Sequence, residues 1–151
     1  MIIAVDFDGT IVEHEYPRIG RPVPFALNAL RKLQDEGRHT LILWTVREGE
    51  LLEEAVNYCS KNGVEFYAVN KNYPEEEPGD NPRKLMADIF IDDKNIGGLP
   101  DWSVIYRTII SGSNTFQDLD DYISDNNKPK GRKNFFLRIG EALENNRRYG
   151  R

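Results

Sequence analysis

The stretch Ile2-Ile3-Ala4-Val5-Asp6-Phe7-Asp8-Gly9-Thr10 decides the fold, because an apolar run leads directly into two carboxylates and a glycine. A continuous apolar run that ends at a turn predicts a buried strand of a parallel sheet. Asp6 then stands at the carboxyl end of this strand, where open α/β sheets bind their ligands. Two carboxylates this close repel each other unless a cation lies between them. Oxygen ligands without a nearby His or Cys suit Mg²⁺, so the stretch predicts a catalytic corner with a magnesium ion.

The segments that follow alternate between buried strands and amphipathic helices. The hydrophobic patterns predict a helix over 24–36, a strand over 40–44, a helix over 50–62, a strand over 64–69, a helical turn over 81–86, a strand over 87–93 that ends in two acids, and a fifth short strand over 102–106. This alternation predicts an α/β protein, a three-layer α/β/α sandwich around a mainly parallel, Rossmann-like sheet. The loops 10–24 and 70–81 are too short for a folded cap, so we expect no large cap domain.

The segment 12–24 contains three prolines and a glycine, which predicts a loop or small flap instead of a helix. Because this segment follows the first strand, it would lie over the carboxyl end of that strand. His14, Arg18 and Arg21 are therefore candidates to meet an anionic substrate, although residues of these types are more often ordinary surface.

Polar residues also follow the predicted second and fourth strands. Thr45 ends the second strand, and a hydroxyl there can donate a hydrogen bond to a phosphoryl oxygen without adding charge. Arg47 comes two residues later and could either reach a substrate or lie at the surface. Asp92 and Asp93 end the fourth strand as adjacent acids. In a parallel sheet all of these residues would lie at one edge.

Asp6-Phe7-Asp8-Gly9-Thr10 matches the first motif of the haloacid dehalogenase-like superfamily. Thr45 fits the second motif, a strand capped by Ser or Thr, and the pair Asp92–Asp93 matches the fourth. Most members of that superfamily are Mg²⁺-dependent phosphatases and phosphotransferases. The chain therefore resembles a small, capless, phosphatase-type member, and the resemblance covers residues 6 to 93, under two thirds of the chain.

The resemblance implies a role for each residue that matches a motif. Asp6 would be the catalytic nucleophile that forms an aspartyl-phosphate, and Asp8 would be the general acid and then the base. Mg²⁺ would contact the Asp6 carboxylate, the Asp8 backbone carbonyl and Asp92, with Asp93 in a supporting role. The expected substrate-binding residues are Gly9, Thr10, Thr45 and Arg47.

The third motif of the superfamily is a lysine that pairs with the nucleophile and the phosphate. We assign it to Lys84, because a cation is needed among several carboxylates and a phosphate. Lys84 lies closer to the acid pair than the corresponding lysine of many relatives, so Lys71 remains the alternative.

The activity implied by these residues is Mg²⁺-dependent hydrolysis of a phosphate monoester, with a small phosphorylated metabolite as the partner. A phosphotransferase would use the same site, and a non-catalytic phosphate-binding module would keep the fold. An acid at Asp8 argues against the dehalogenase branch, which does not protonate a leaving group in this way.

The composition describes a globular protein of one ordinary domain. The chain has 151 residues, of which 39% are hydrophobic and 30% charged, with a formal charge of −5. No apolar run approaches the roughly 20 residues of a membrane span, and no basic leader precedes the first apolar run. Cys59 is the one cysteine, which excludes an intramolecular disulfide and makes a cytoplasmic location the expectation.

The C-terminal part of the chain differs in charge from the rest. Residues 1–112 are predicted to form the catalytic core and 113–151 a helical extension, with helices over 115–124 and 134–146. Residues 126–151 contain eight Lys or Arg and two Glu, but no recognisable nucleic-acid-binding module, so we do not expect nucleic acid as a partner. The apolar stripe of the last helix must be buried on this subunit or on a second copy, which would form a homo-oligomer.

Overall fold

The structure of the chain is a computed structural model, which describes residues 1–77 and 84–112. All of these residues belong to the first of two compact units, Met1–Asn114. The predicted extension over 113–151, with both of its helices, lies outside the described residues. The helical turn predicted over 81–86 lies partly outside them, and its described half, 84–86, is not helical.

In the described residues, strands and helices follow one another in the predicted order, except at the last element. The elements are β1 (Ile2–Val5), α1 (Ala26–Asp35), β2 (Thr40–Leu43), α2 (Gly49–Lys61), β3 (Ala68–Val69), β4 (Ile89–Ile91) and α3 (Trp102–Ile110). The strands form one sheet in the order β3-β2-β1-β4, and every pairing is parallel. The predicted α/β class and its parallel, Rossmann-like sheet are confirmed.

β1 occupies an inner position in the sheet, which explains its continuous apolar sequence. It pairs with β2 over four positions on one side and with β4 over three positions on the other. Because the strands are parallel and in register, their carboxyl ends lie at one edge of the sheet. Asp6 and Asp92 directly follow β1 and β4 there, and Thr45 comes two residues after β2.

The sheet contributes to two hydrophobic clusters, one on each face, because successive side chains of a strand point in opposite directions. On one face, Ile3 and Val5 pack with buried residues of α1, α2 and α3 in the larger core. On the other face, Ala4 belongs to a smaller cluster with Leu85 from the connection between β3 and β4. The three described helices therefore share one face of the sheet.

The chain from Trp102 to Ile110 is helical, so the short strand predicted over 102–106 is wrong. Asp101 caps this helix, since its side chain accepts a hydrogen bond from the Ser103 backbone N–H at 2.7 Å. The buried positions of the helix are Trp102, Ile105, Thr108 and Ile109. Their spacing of three to four residues is the helical period, and it outweighs the local β-propensity of the aromatic and β-branched residues.

β3 and β4 are shorter than the sequence predicts. The segment predicted as a strand over 64–69 pairs with β2 only at Ala68–Val69, and the ladder of β4 covers only Ile89–Ile91. The Val64 N–H instead donates to the Cys59 carbonyl at the end of α2, at 3.0 Å. The first residues of the predicted third strand therefore complete the helix end and do not extend the sheet.

Within the described ranges, no helix is both long enough and apolar enough to span a bilayer.

Cys59 is buried in α2, and burial raises the pKa of its thiol to about 12. A thiol with such a pKa is protonated at neutral pH, so Cys59 packs and does not act as a nucleophile.

Candidate active site

Three carboxylates converge at the carboxyl edge of the sheet. Asp6 follows β1, and Asp92 and Asp93 follow β4, which is the neighbour of β1. The Asp6 backbone N–H donates to the Ile91 carbonyl at 3.0 Å, and this bond joins the ends of the two strands. Oxygens of the three carboxylates lie within 4.8 Å of one another, so the group could hold a metal ion.

The surroundings of Asp6 disfavour its charge when no cation is present. Burial is the main cause that raises its pKa, to about 6, and the charges of Asp92 and Asp93 act in the same direction. Hydrogen bonds from the Phe7 backbone and from Thr10 act in the opposite direction. A cation among the carboxylates would offset the repulsion and favour the ionised Asp6 that a nucleophile or a metal ligand requires.

One carboxylate oxygen of Asp93 has surroundings that suit a bound cation. Oδ1 of Asp93 is buried and has no hydrogen-bond partner among the described residues. Gly9 lies directly against this carboxylate, because a Cβ there would come within 2.6 Å of Asp93 Oδ2. The backbone of Gly9 also has a φ of 91°, which favours glycine. Gly9, predicted to bind substrate, therefore makes room for Asp93, and an oxygen without a donor suits a bound cation.

Thr10, also predicted to contact the substrate, is fully buried instead. Its hydroxyl donates to Asp6 Oδ2 at 3.2 Å and accepts from the Asp93 backbone N–H at 3.0 Å. Its carbonyl accepts the indole N–H of Trp102 at 2.9 Å. Thr10 therefore connects the ends of β1 and β4 to α3, and it holds the carboxylates in position.

Trp102→Phe is expected to destabilise the protein by about 1–3 kcal/mol, because the buried Thr10 carbonyl loses its donor and the smaller ring leaves a void. Urea denaturation followed by circular dichroism measures the change. Trp44→Phe is the matched control, since Trp44 is 37% exposed. This variant should lose less than about 0.5 kcal/mol of the free energy of unfolding. Equal losses of unfolding free energy in the two variants would contradict a specific contribution of the Trp102–Thr10 hydrogen bond to stability.

Thr45 lies at the same edge, held by bonds from both sides. Its backbone N–H donates to Asn70 Oδ1 at 2.8 Å, and Asn70 directly follows β3 with a φ of 53°. Its hydroxyl oxygen accepts the Arg47 backbone N–H at 3.3 Å. Because the hydroxyl oxygen is used here as an acceptor, its proton can still be donated to a ligand.

Asp8 and Arg47 form a buried ion pair apart from the three clustered carboxylates. Arg47 donates through Nε to Asp8 Oδ2 and through Nη2 to Asp8 Oδ1, each at 2.7 Å. Asp8 is 5% exposed and Arg47 is not exposed at all. Arg47, predicted to contact substrate, is thus enclosed and paired with Asp8. The Asp8 carboxylate, predicted as an acid, accepts both hydrogen bonds as an anion.

Lys94 contacts the cluster in this structure. Its Nζ lies 2.6 Å from Asp93 Oδ2, and this contact is the main cause that raises the Lys94 pKa. Lys84 is exposed, and its Nζ lies 4.8 Å from the centre of the Phe90 ring on β4. Lys71 follows Asn70 at the carboxyl end of β3 and is partly buried. Neither Lys84 nor Lys71 makes an ion pair with a described residue.

Comparison with known proteins yields a match among solved structures. No family model matches the chain, and no curated protein matches it. A solved structure of a conserved protein from Bacteroides thetaiotaomicron is 60% identical, with a TM-score of 0.72, and the match covers 79% of this chain and 96% of that one. The chain belongs to the family of that conserved protein. Its description names no activity.

The three candidate residues of the flap make no ion pair with the clustered carboxylates of the described chain. His14, Arg18 and Arg21 are exposed. Arg21 pairs with Glu13 at 3.0 Å and Arg18 approaches Glu15 at 3.7 Å, so both ion pairs lie within the flap. These residues remain candidates only for a substrate that approaches from solvent.

A cavity between α1 and α3 lies away from the carboxylates. It has a volume of about 410 Å³, with Phe25, Trp102 and Tyr106 in its wall. Neither this cavity nor a second one, of about 290 Å³ beside Pro22, includes a clustered acid. The chemistry of Asp6, Asp92 and Asp93 points to the sheet edge, and we place the candidate site there.

Proposed function

We propose that the chain is a Mg²⁺-dependent phosphate-monoester hydrolase that acts through an aspartyl-phosphate on Asp6. The observation that supports this proposal is the convergence of Asp6, Asp92 and Asp93 at one sheet edge, with a buried carboxylate oxygen that lacks a donor. Thr45 at the end of the adjacent strand adds a hydroxyl that can donate to a phosphoryl oxygen. The order of these residues along the chain is that of haloacid dehalogenase-like phosphatases.

The residues fit a hard divalent cation. Asp6, Asp92 and Asp93 would hold Mg²⁺, since carboxylate oxygens are the ligands that this ion prefers. The bound ion would supply positive charge against the phosphoryl oxygens and would keep Asp6 ionised. The Asp8 side chain is not among the candidate ligands, because Arg47 occupies both of its oxygens.

The proposed first step is an in-line displacement at phosphorus. An ionised oxygen of Asp6 forms a bond to phosphorus while the bond from phosphorus to the ester oxygen breaks. The Thr45 hydroxyl donates a hydrogen bond to a phosphoryl oxygen, and a lysine ammonium, for which Lys84 is our candidate, offsets the negative charge. The leaving oxygen takes a proton from protonated Asp8, which must first separate from Arg47 and gain that proton.

The second step regenerates the enzyme. A water molecule attacks the phosphorus of the aspartyl-phosphate, and the Asp8 carboxylate accepts a proton from that water. The bond between Asp6 and phosphorus then breaks, which releases inorganic phosphate and returns Asp6 to its ionised form. Asp8 ends the cycle protonated, ready for the next leaving group.

The proposed substrate is a small phosphorylated metabolite, and the proposed compartment is the cytoplasm. The described part of the chain has no cap over the sheet edge, and its flap is only about ten residues long. Such an edge is open to small esters. The single cysteine is consistent with a reducing compartment.

A panel of phosphate monoesters assayed with Mg²⁺ tests the proposed function. We expect release of inorganic phosphate that stops when EDTA removes the divalent cation and returns when Mg²⁺ is added in excess. Transfer of the phosphoryl group to an added alcohol without release of phosphate would identify a phosphotransferase. Binding of phosphate without turnover of any ester would contradict the proposal and favour a binding module.

A further inference from the structure

We infer that Arg47 fastens the flap to the catalytic corner. The flap predicted over 12–24 forms a loop of residues 13–22 in the structure. The inference rests on the contacts of Arg47 and not on the proposed function, so the two can be tested separately.

The guanidinium of Arg47 is occupied by two kinds of partner. Two of its N–H groups donate to the Asp8 carboxylate. Nη1 donates to the Pro17 carbonyl and Nη2 to the Arg18 carbonyl, each at 2.9 Å. Four of the five N–H groups of the fork are thus used, and two of them bind the backbone of the flap.

Aromatic rings enclose the same guanidinium. Its central carbon lies 5.0 Å from the centre of the Phe7 ring and 5.3 Å from that of Tyr16. Phe7 is the buried residue between the two acids of the corner, whereas Tyr16 belongs to the flap. Arg47 therefore joins the corner to the flap by hydrogen bonds and also by contact with both rings.

The flap has few other attachments. It begins and ends as a narrow loop, with a bridge between Val12 and Pro22 and a hydrogen bond from the Glu13 N–H to the Arg21 carbonyl. Most of its side chains are exposed, and Ile19 is the partly buried apolar residue that packs against the core. The middle of the flap is thus held mainly by Arg47.

One side chain thus holds both the catalytic corner and the flap. Both Asp8 oxygens accept from Arg47, and the other donors of the same guanidinium hold the Pro17 and Arg18 carbonyls. Loss of the guanidinium would therefore free the middle of the flap from the corner.

Limited trypsin digestion tests the fastening. Arg18 lies in the flap with a side chain that is 83% exposed, so the bond after it should become cleavable when the flap is released. We expect Arg47→Met, which keeps the length of the side chain but no donors, to speed this cleavage at least tenfold. Arg21→Met is the matched control, since it removes only an exposed pair with Glu13 and should leave the rate within twofold. Cleavage after Arg18 at the wild-type rate in Arg47→Met would overturn the fastening.

Two measurements keep the test decisive if Arg47→Met does not fold. Arg47→Lys keeps the charge but not the fork, and it should speed the same cleavage at least threefold. In the wild-type protein, hydrogen exchange of the Arg47 Nε–H should respond to mild denaturant in parallel with cleavage after Arg18. Independent responses of the two would overturn the inference.

If the wild-type protein hydrolyses no ester, the proposed function fails, while the digestion still decides whether Arg47 fastens the flap.

Discussion

Asp6→Asn is expected to lower Mg²⁺-dependent phosphatase turnover by at least about 10⁴-fold, which corresponds to about 5 kcal/mol of transition-state stabilisation. The substitution replaces the anionic nucleophile by an amide of the same shape, and an amide oxygen cannot form the aspartyl-phosphate. It also removes one of the three carboxylates that would hold the ion. Both effects act on the same side chain, so little residual turnover should survive.

The fold should survive the same change. Asp6→Asn removes one of three clustered negative charges, so the metal-free variant should melt no lower than the wild-type protein. Circular dichroism and a thermal melt verify this, and hydrolysis of p-nitrophenyl phosphate with Mg²⁺ measures the turnover. Asp35→Asn is the control, because Asp35 is an exposed residue of α1. Turnover of Asp6→Asn at the wild-type rate would refute the proposed chemistry.

Much of the sheet could be predicted because its strands are buried on both faces. The apolar runs of β1 and β2 have no polar interruption, which is typical of parallel strands enclosed on both faces. The prediction of a strand at α3 is wrong because residues 102–106 taken alone have a strand-like composition. The helical period of buried residues becomes clear only when Thr108 and Ile109 are included. Over a short segment, local β-propensity therefore outweighs the longer helical repeat.

The candidate site could be predicted only where the sheet itself places a residue. Asp6 and Asp92 follow strands that pair with each other, so their proximity follows from the parallel order. The pair Asp8–Arg47 joins positions 39 residues apart, and no local pattern reveals which loop carbonyls a guanidinium will meet. The contact between Lys94 and Asp93 is predictable in principle, because a cation directly follows two acids in the sequence.

Lys94 and Lys84 differ in their surroundings. Lys94 is 72% exposed, and an ion pair made from solvent contributes little because water and salt screen it. The Lys84 ammonium lies over the ring of Phe90, on the strand that pairs with β1 and ends at Asp92. We therefore propose Lys84 as the cation that meets a phosphate held at Asp6.

Lys84→Ala is therefore expected to lower turnover at least about 100-fold, because its charge offsets the repulsion between carboxylates and phosphate in the transition state. Lys94→Ala should lower it less than about tenfold, since that ammonium approaches Asp93 from solvent. Lys71→Ala serves as the third arm, because Lys71 also lies at the carboxyl edge of the sheet. Turnover is measured for all three at saturating Mg²⁺, which separates loss of the lysine from a change in metal affinity. If Lys71→Ala or Lys94→Ala is inactive while Lys84→Ala retains wild-type turnover, the assignment to Lys84 is wrong, and the inactive variant identifies the residue that balances the phosphate.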